Sequence, residues 1–448
     1  MRGLRSTIAL VVVLAGLFAY IYFVTWKQPA EPASKLEKVF AGLVADKVDE
    51  LKITSDKGEV TTLKKDSGGW QIVSPVTAKA DETEASGIAN ALGQVEVSRV
   101  IDENPTSLKD YGLEKPRLVV EFKASGDKDY RRLQIGEKSP TGSDLFTKRN
   151  DDKRVFLIGS TQETTFNRST FDLRDKTVLK FERDKVDGVE VHAGGKTVQL
   201  AKDGSDWKLT QPLQTRADYG AVEGLIGRVQ SSLMKSIVSD DATPADLKKY
   251  GLDKPEATVE LKAGSSRATL QIGSKAENNT VYARDASKNA VVTIDSALAD
   301  DLKKGGDDYR RKDLFEFRSY NVDHLEFTRD GQTVAFEKVK EQGNAPSDKW
   351  RRTSPTAGDV AKDKIDSLIG VLSNMRLTSF VDATAKTGLN QPALTVAAKY
   401  EDAKKEEKVT FGKVDNDVFA SRSGDPGAGK VTAMEFTEAM KTLDEIAK

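Results

Sequence analysis

One short stretch occurs three times in this chain, at an interval that corresponds to whole domains. The copies are YGLEKP at 111–116, YGLDKP at 250–255 and the shorter GLNQP at 388–392. Their prolines lie 139 and 137 residues apart, whereas solenoid repeats have periods of about 20–50 residues. Each copy precedes an alternating apolar run. Because glycine can leave a turn at positive φ and proline cannot donate to a strand ladder, the stretch predicts a turn that starts a strand. Its repeated positions are Gly112, Gly251, Gly388, Pro116, Pro255 and Pro392.

Other features recur at the same interval and align the three copies along their length. One tryptophan stands in each copy, and a proline follows it five residues later. Next comes a segment with apolar residues at helical spacing, in which Asp81 and Asp218 occupy the expected N-cap positions of the first two copies. In the second copy this apolar face is predicted to extend to Leu233. Four strand-like runs and a short helix complete each copy.

The repeat predicts an α+β fold with three homologous domains, each ordered β-β-β-α-β-β-β-β-α and built on mostly antiparallel sheets. A chain of 448 residues is long enough for about three domains. We expect the domains to cover residues 46–183, 184–318 and 319–448. At roughly 135 residues, each domain is large enough to bury a core of its own.

The tryptophans Trp70, Trp207 and Trp350 occupy matching positions in the three copies. The simplest interpretation is that each one anchors the core of its own domain, because a large aromatic ring buries much apolar surface. The alternative is that the repeated aromatics line a ligand cleft.

The N-terminus carries an uncharged, largely apolar run at residues 8–24, preceded by Arg2 and Arg5. Such a run is long enough to cross the hydrocarbon core of a bilayer, and the positive-inside rule then places the N-terminus in the cytoplasm. We therefore expect a cytoplasmic tip and transmembrane signal anchor at 1–27 and a linker at 28–45, with a short helix over 35–45. The chain would be a single-pass protein of the inner membrane with its bulk periplasmic. The alternative is a cleaved signal peptide.

Ala15, Gly16 and Ala19 form a small-residue face within this apolar run. Such a face lets another membrane helix approach closely, so it is a candidate packing surface. The alternative is that small residues are merely common in membrane anchors.

Composition argues against several classes of function. Basic residues (69) and acidic residues (70) balance, whereas nucleic-acid binders usually carry a basic excess. There is no cysteine, so disulfides and thiolate metal sites are excluded. The two histidines, His192 and His324, do not recur between copies and are interpreted as surface residues.

No recognisable catalytic constellation emerges from the sequence. The loop at 424–430 (GDPGAGK) has the glycine and lysine spacing of a phosphate-binding loop, but Val431 follows where Ser or Thr would bind magnesium, and strand-like runs flank it on both sides. Asp49, Asp187 and Asp323 recur at strand starts, where a carboxylate usually satisfies local backbone donors; a functional triple carboxylate is the alternative. We expect a protein without enzymatic activity, metal, cofactor or bound nucleotide.

The apolar N-terminus, the Tyr-Gly-Leu-x-x-Pro turn, the Gln-Ile-Gly strands and the join LRDK at 173–176 resemble the bacterial domain-of-unknown-function (DUF) 4340 family. The resemblance covers almost everything after the apolar run, with a divergent third copy. Members are typically encoded beside an ABC-2-type permease, its ATPase and an auxiliary protein similar to a gliding-motility transporter component. The resemblance implies no catalytic residues.

The expected function is therefore a membrane-anchored, extracytoplasmic accessory or scaffold subunit of an ABC transporter complex. It would act by binding the permease and auxiliary subunits. The alternative is a periplasmic binder of an envelope polymer such as peptidoglycan or polysaccharide; aromatic residues exposed in a groove would favour that alternative, and buried tryptophans would weaken it.

Overall fold

The computed structural model describes residues 13–20, 22–23, 36–340 and 348–447. The chain divides into two compact units, Met1–Lys176 and Thr177–Lys448. The first unit contains one nine-stranded sheet, and the second contains two.

Only part of the expected membrane anchor lies within the described residues. Residues 13–20 form helix α1, in which Ala15, Gly16 and Ala19 are exposed. The rest of the 8–24 run, apart from residues 22 and 23, lies outside the described residues. None of the described helices combines the length and the apolar character needed to cross a membrane. The anchor therefore stays a prediction.

The segment preceding the first sheet differs from the expected linker. Residues 36–44 form turns and a bridge between Lys38 and Glu96 rather than a helix, so the short helix predicted there is wrong. A 3-10 turn follows at Ala45–Lys47. Val39 and Phe40 are buried in the first core, where the Phe40 ring meets Phe122 edge-on with centroids 4.8 Å apart. This part of the linker is thus packed as core.

The first repeat forms a sheet of order β4-β3-β2-β1-β6-β7-β8-β9-β5. Its strands are β1 (Val48–Thr54), β2 (Val60–Asp66), β3 (Gly69–Ser74), β4 (Ala78–Lys79), β5 (Arg99–Asp102), β6 (Leu118–Ala124), β7 (Arg131–Lys138), β8 (Asp144–Arg149) and β9 (Val155–Gly159). Its helices are α2 (Glu82–Gln94) and α3 (Gln162–Phe166), with a 3-10 turn at Lys109–Tyr111.

The second repeat has the same strand order, β13-β12-β11-β10-β15-β16-β17-β18-β14. Its strands are β10 (Gly188–Ala193), β11 (Lys196–Asp203), β12 (Asp206–Gln211), β13 (Thr215–Arg216), β14 (Ser236–Ser239), β15 (Ala257–Ala263), β16 (Ser266–Lys275), β17 (Thr280–Asp285) and β18 (Val291–Asp295). Its helices are α4 (Tyr219–Gln230), α5 (Pro244–Lys249), α6 (Ala297–Leu302) and α7 (Gly306–Tyr309), with a 3-10 turn at Arg183–Lys185.

The third repeat again has this order, β22-β21-β20-β19-β24-β25-β26-β27-β23. Its strands are β19 (Val322–Arg329), β20 (Gln332–Lys340), β21 (Asp348–Ser354), β22 (Gly358–Asp359), β23 (Ser379–Val381), β24 (Leu394–Tyr400), β25 (Lys405–Val414), β26 (Asp417–Arg422) and β27 (Ala428–Val431). Its helices are α8 (Lys362–Asn374) and α9 (Ala433–Ile446).

The three sheets confirm the predicted α+β repeats. Neighbouring strands pair antiparallel, including the central pairs β1·β6, β10·β15 and β19·β24. Each repeat contains two strands that the sequence interpretation omitted, a two-residue strand before the long helix and a short edge strand after it. The edge strand, β5 in the first repeat, pairs with the last long strand, β9.

The long helix of each repeat packs its apolar face onto the sheet. Asp81 caps α2 by accepting from the N–H groups of Thr83 and Glu84, and Asp218 caps α4 through Ala221 N–H. The faces of α2, α4 and α8 are buried. Leu233 does not belong to this face as predicted: α4 ends at Gln230, and Leu233 is exposed.

The glycine of the repeated turn and the glycine of the Gln-Ile-Gly strand lie against each other. Gly251 has φ +69°, and a Cβ there would lie 3.0 Å from Ser274 N. A Cβ on Gly273 would overlap the carbonyl oxygen of Tyr250. The same approach occurs in the other repeats. Because each backbone occupies the space that a side chain on the other glycine would need, the two motifs occur together. A strand starts two residues after each proline, as predicted.

Candidate functional site

The three tryptophans are core residues. Trp70, Trp207 and Trp350 are 1%, 2% and 3% exposed and lie on the third strand of their sheets. In each repeat a lysine ammonium lies over the indole, 5.7 to 5.8 Å from the ring centroid. Burial confirms their interpretation as anchors, and none of the three indoles is exposed as a cleft-lining ring would be.

The histidines and two of the three repeated aspartates contact groups within their own repeats. His192 contacts Glu190 and Thr197 on its own sheet, at 2.7 and 2.9 Å, and His324 Nε2 lies 3.9 Å from Glu326. The carboxylates of Asp187 and Asp323 accept hydrogen bonds from backbone N–H groups, which supports their structural interpretation. The part of the chain that the structure describes contains no group of three or more metal-ligating side chains.

The glycine-rich stretch at 424–430 begins in the hairpin loop between β26 and β27 and continues into β27. A phosphate-binding loop leads instead from a strand into a helix. Lys430 pairs with Asp417 at 2.7 Å. The loop's chemistry lies in Asp425, which accepts hydrogen bonds from Arg216 of the second repeat.

A charged cluster joins the second and third repeats within the second unit; we call it the Arg216 junction. The guanidinium of Arg216 lies 2.5 Å from Asp425 and 2.8 Å from Glu316, and it also donates to the carbonyl of Asp313 at 3.0 Å. These groups come from β13, the segment entering the third repeat, and the β26–β27 loop. A single side chain on β13 thus binds two other stretches of the chain.

The electrostatics of the Arg216 junction favour the charged forms. Burial opposes ionisation of Glu316, but the hydrogen bond and charge of Arg216, together with Arg422 and Arg311, hold its pKa below the usual value. Burial alone would lower the pKa of Arg216, yet Asp425 and Glu316 raise it. Glu316 and Arg216 therefore remain charged at neutral pH.

Two further arginines surround the junction. The guanidinium of Arg310 lies 3.5 Å from the Phe380 ring centroid and donates to the carbonyl of Pro426. Arg376 contacts Asp313 at 2.8 Å and Asp218 at 3.5 Å. Because these contacts also link the second repeat and its outgoing segment to the third, the two repeats are fastened over an extended polar surface.

A groove of about 500 Å³ opens at another place in the second unit; we call it the repeat-2 groove. It lies between the segment entering the second repeat and the hairpin of β15 and β16. Its lining is Lys180, Phe181, Glu182, Lys185, Val186, Leu261, Ala263, Ser266, Arg267 and Ala268.

Sequence reasoning missed both features. Arg216 and Asp425 are 209 positions apart, and no local pattern marks them as partners. For the groove, the sequence does contain an indication. Ala268 stands five residues before Gly273, and the matching positions hold Arg131 and Glu407, so aligning the copies exposes the one small residue.

A family model described as "Domain of unknown function (DUF4340)" matches residues 70–219 and 207–392. The two matches begin at Trp70 and Trp207, which occupy the same place in neighbouring repeats. A search of curated proteins found no match. Since the two matched regions together cover more than half of the sequence, the chain belongs to the DUF4340 family.

Proposed function

We propose that this protein is a non-catalytic binding subunit of an ABC transporter complex, anchored in the inner membrane with its repeats outside. The observation that carries the binding role is the Arg216 junction, which fastens two repeats into one unit while the repeat-2 groove stays open beside them. Tandem domains held in this way offer an extended contact surface. The resemblance described above supplies the expected partners, a permease and its auxiliary subunits.

The second candidate, binding of an envelope polymer, has less support. Glycan grooves are expected to present exposed aromatic rings, but the three repeated tryptophans are buried. Tyr219 and Tyr320 are exposed, yet they lie on an α-helix and in the loop before β19 and are not repeated aromatics. We therefore favour protein partners.

Co-purification tests the proposal. We expect the tagged full chain, extracted in mild detergent, to bring down a permease and an ATPase in fixed proportion. A control chain in which residues 1–27 are exchanged for an unrelated single-pass anchor separates the contribution of the membrane helix from that of the repeats. Recovery of the protein alone, with retention on a peptidoglycan or polysaccharide column, would favour the polymer-binding alternative.

Topology is tested separately. A reporter that works only in the periplasm, fused after Lys448, is expected to be active because Arg2 and Arg5 precede the apolar run. The matched control carries the same reporter on a chain without residues 1–27. Activity only of a cytoplasmic reporter would contradict the proposed orientation.

A further inference from the structure

In the third repeat, two side chains cover the segment that leads into the first strand of the repeat. Glu407, 4% exposed, accepts hydrogen bonds from the backbone N–H groups of Glu316 and Phe317 at 3.0 and 3.1 Å. Tyr400 is buried beside it and donates to Glu316 at 3.4 Å. Burial and the nearby Glu407 and Glu316 carboxylates raise the pKa of Tyr400 to about 12, so its hydroxyl keeps its proton. A carboxylate and a phenol therefore cover the entering segment.

The second repeat has alanine at both of these positions. In the third repeat Glu407 pairs with Ala398 and Tyr400 with Lys405; in the second, Ala268 pairs with Leu261 and Ala263 with Ser266. The entering segments correspond as well, because Phe181 and Phe317 each stand five residues before a Val-Asp pair, at 186–187 and 322–323. The repeat-2 groove is thus the space that Glu407 and Tyr400 fill in the third repeat.

The first repeat fills the equivalent space differently. Arg131 stands at the position of Ala268, and its guanidinium lies 5.9 Å from the Phe122 ring centroid. The Phe40 ring also packs against Phe122. Among the three repeats that the structure describes, the small residue at this register position belongs to the second alone.

The lining of the repeat-2 groove can accommodate a carboxylate and an aromatic ring. Phe181 is half-buried, whereas Phe317 is fully buried, so part of an aromatic ring remains open for packing. Three basic residues and one acidic residue line the groove: Lys180, Lys185, Arg267 and Glu182. Lys185 pairs with Glu182 at 2.7 Å, and Arg267 lies 3.5 Å from Glu260. The acidic character expected of an occupant therefore follows from Glu407, which fills this position in the third repeat.

We propose that the repeat-2 groove binds an acidic, aromatic segment of a partner protein. The partner's Glu or Asp carboxylate would reach the backbone at Phe181, and its aromatic ring would cover Ala263. The partner thereby provides the two groups that Glu407 and Tyr400 provide in the third repeat. This inference rests on the proposed role as a partner-binding subunit, and it names the chemistry of the segment recognised.

The third repeat also indicates how far apart the aromatic ring and the carboxylate of the partner segment must be. Tyr400 and Glu407 are diagonal neighbours on adjacent strands, a relation that spans about 7–8 Å. In an extended peptide, residues i and i+2 lie on one face about 7 Å apart. The expected recognition element is therefore aromatic-x-acid in extended conformation.

The test uses the full chain and fluorescence anisotropy with a labelled, end-capped peptide, Gly-Tyr-Thr-Glu-Gly. We expect saturable binding that weakens at least tenfold when Gln replaces Glu, since a hydrogen bond to a charged group is stronger than one to a neutral amide. Binding is also expected to weaken when Ala replaces Tyr. A version of the Gln peptide with a free C-terminal carboxylate tests whether a chain terminus substitutes for the side chain; equal binding of that version would overturn the assignment to a side-chain carboxylate.

Variants of the protein locate the binding. The double variant Ala263→Tyr with Ala268→Glu installs the third repeat's residues and is expected to lower affinity at least tenfold. Ala245→Glu on exposed α5 is the matched control and leaves affinity unchanged. Because filling a groove can disturb folding, Arg267→Glu, an exposed charge reversal, provides a second variant and is expected to weaken binding severalfold.

Two further results would overturn the inference: no saturable binding of the Tyr-Glu peptide, or equal binding by the groove variants and wild type. Co-purification with the transporter, measured on the same variants, keeps the two proposals apart. Transporter recovery without peptide binding rejects the groove assignment alone. Peptide binding without transporter recovery rejects the transporter role alone.

Discussion

Replacing Trp207 with alanine is expected to lower the free energy of unfolding of the second unit by about 3–5 kcal/mol. The indole is 2% exposed on β12, and its Nε1–H donates to Glu223 on α4 at 3.1 Å. The substitution therefore leaves a cavity between sheet and helix and removes the partner of a carboxylate. Urea unfolding followed by circular dichroism measures the loss, and hydrogen exchange localises it.

Matched variants separate this effect from a general cost of losing an aromatic residue. Trp70→Ala removes the same anchor from the first repeat, and its loss of protection is expected in the first unit. Tyr219→Ala removes an exposed aromatic ring from α4 and is expected to change stability by no more than about 0.5 kcal/mol. A cost below about 1 kcal/mol for Trp207→Ala, or equal costs at Trp207 and Tyr219, would show that the indole is not a core anchor.

Features set by local rules could be predicted from the sequence. The turn glycines require positive φ, aspartate caps the two helices through the next backbone N–H groups, and alternating residues mark the long strands. Because each rule acts over a few residues and repeats three times, one copy supports the interpretation of the others. The buried tryptophans follow from the same repetition.

Features that depend on tertiary pairing could not be predicted in this way. The strands at Thr215–Arg216 and Ser236–Ser239 are two and four residues long, too short for an alternating pattern to show. Leu233 has an apolar side chain at helical spacing, but α4 ends three residues earlier, and Leu233 instead bridges to Thr177. Val39 and Phe40 lie in the predicted linker, because no local pattern shows that they join the first core.

The candidate site also combines features that follow from local sequence with features that depend on tertiary packing. The strand-like runs around the glycine-rich stretch indicate a hairpin, which the pairing of β26 with β27 bears out, but its contact with Arg216 depends on how two repeats pack. The groove could have been predicted from the sequence. Aligning the copies places Ala268 opposite Arg131 and Glu407, so one copy lacks a long side chain at this position.

The Arg216 junction gives the last prediction its physical basis. Arg216 is 19% exposed, and its partners Asp425 and Glu316 are 16% and 28% exposed. Removing one member of a buried ion pair leaves its partner uncompensated, which costs about 3–5 kcal/mol in well-buried cases. Here Arg311 and Arg422 still lie 3.3 and 3.7 Å from Glu316. Since water reaches part of this cluster, we expect Arg216→Ala to cost about 3 kcal/mol, at the lower end of that range.

Acid is expected to weaken the same contact. The pKa of Glu316 in the folded protein lies below its usual 4.5, so its ionisation stabilises the fold at neutral pH, above the unfolded pKa. That contribution is lost as the pH falls through the lowered pKa of the folded state. Arg216→Ala removes the main partner, so the variant should lose less stability than wild type between pH 7 and the acid range.

The measurement is urea unfolding of the full chain at pH 7 and again near pH 4, with hydrogen exchange across β13 and the β26–β27 loop. Arg329→Ala serves as the control, because Arg329 and its partner Asp444 are 40% and 50% exposed, and exposed pairs contribute about 0.2–1 kcal/mol. If Arg216→Ala costs no more than Arg329→Ala at pH 7, the junction does not hold the two repeats together, and the fastening must come from Arg310 and Arg376 instead.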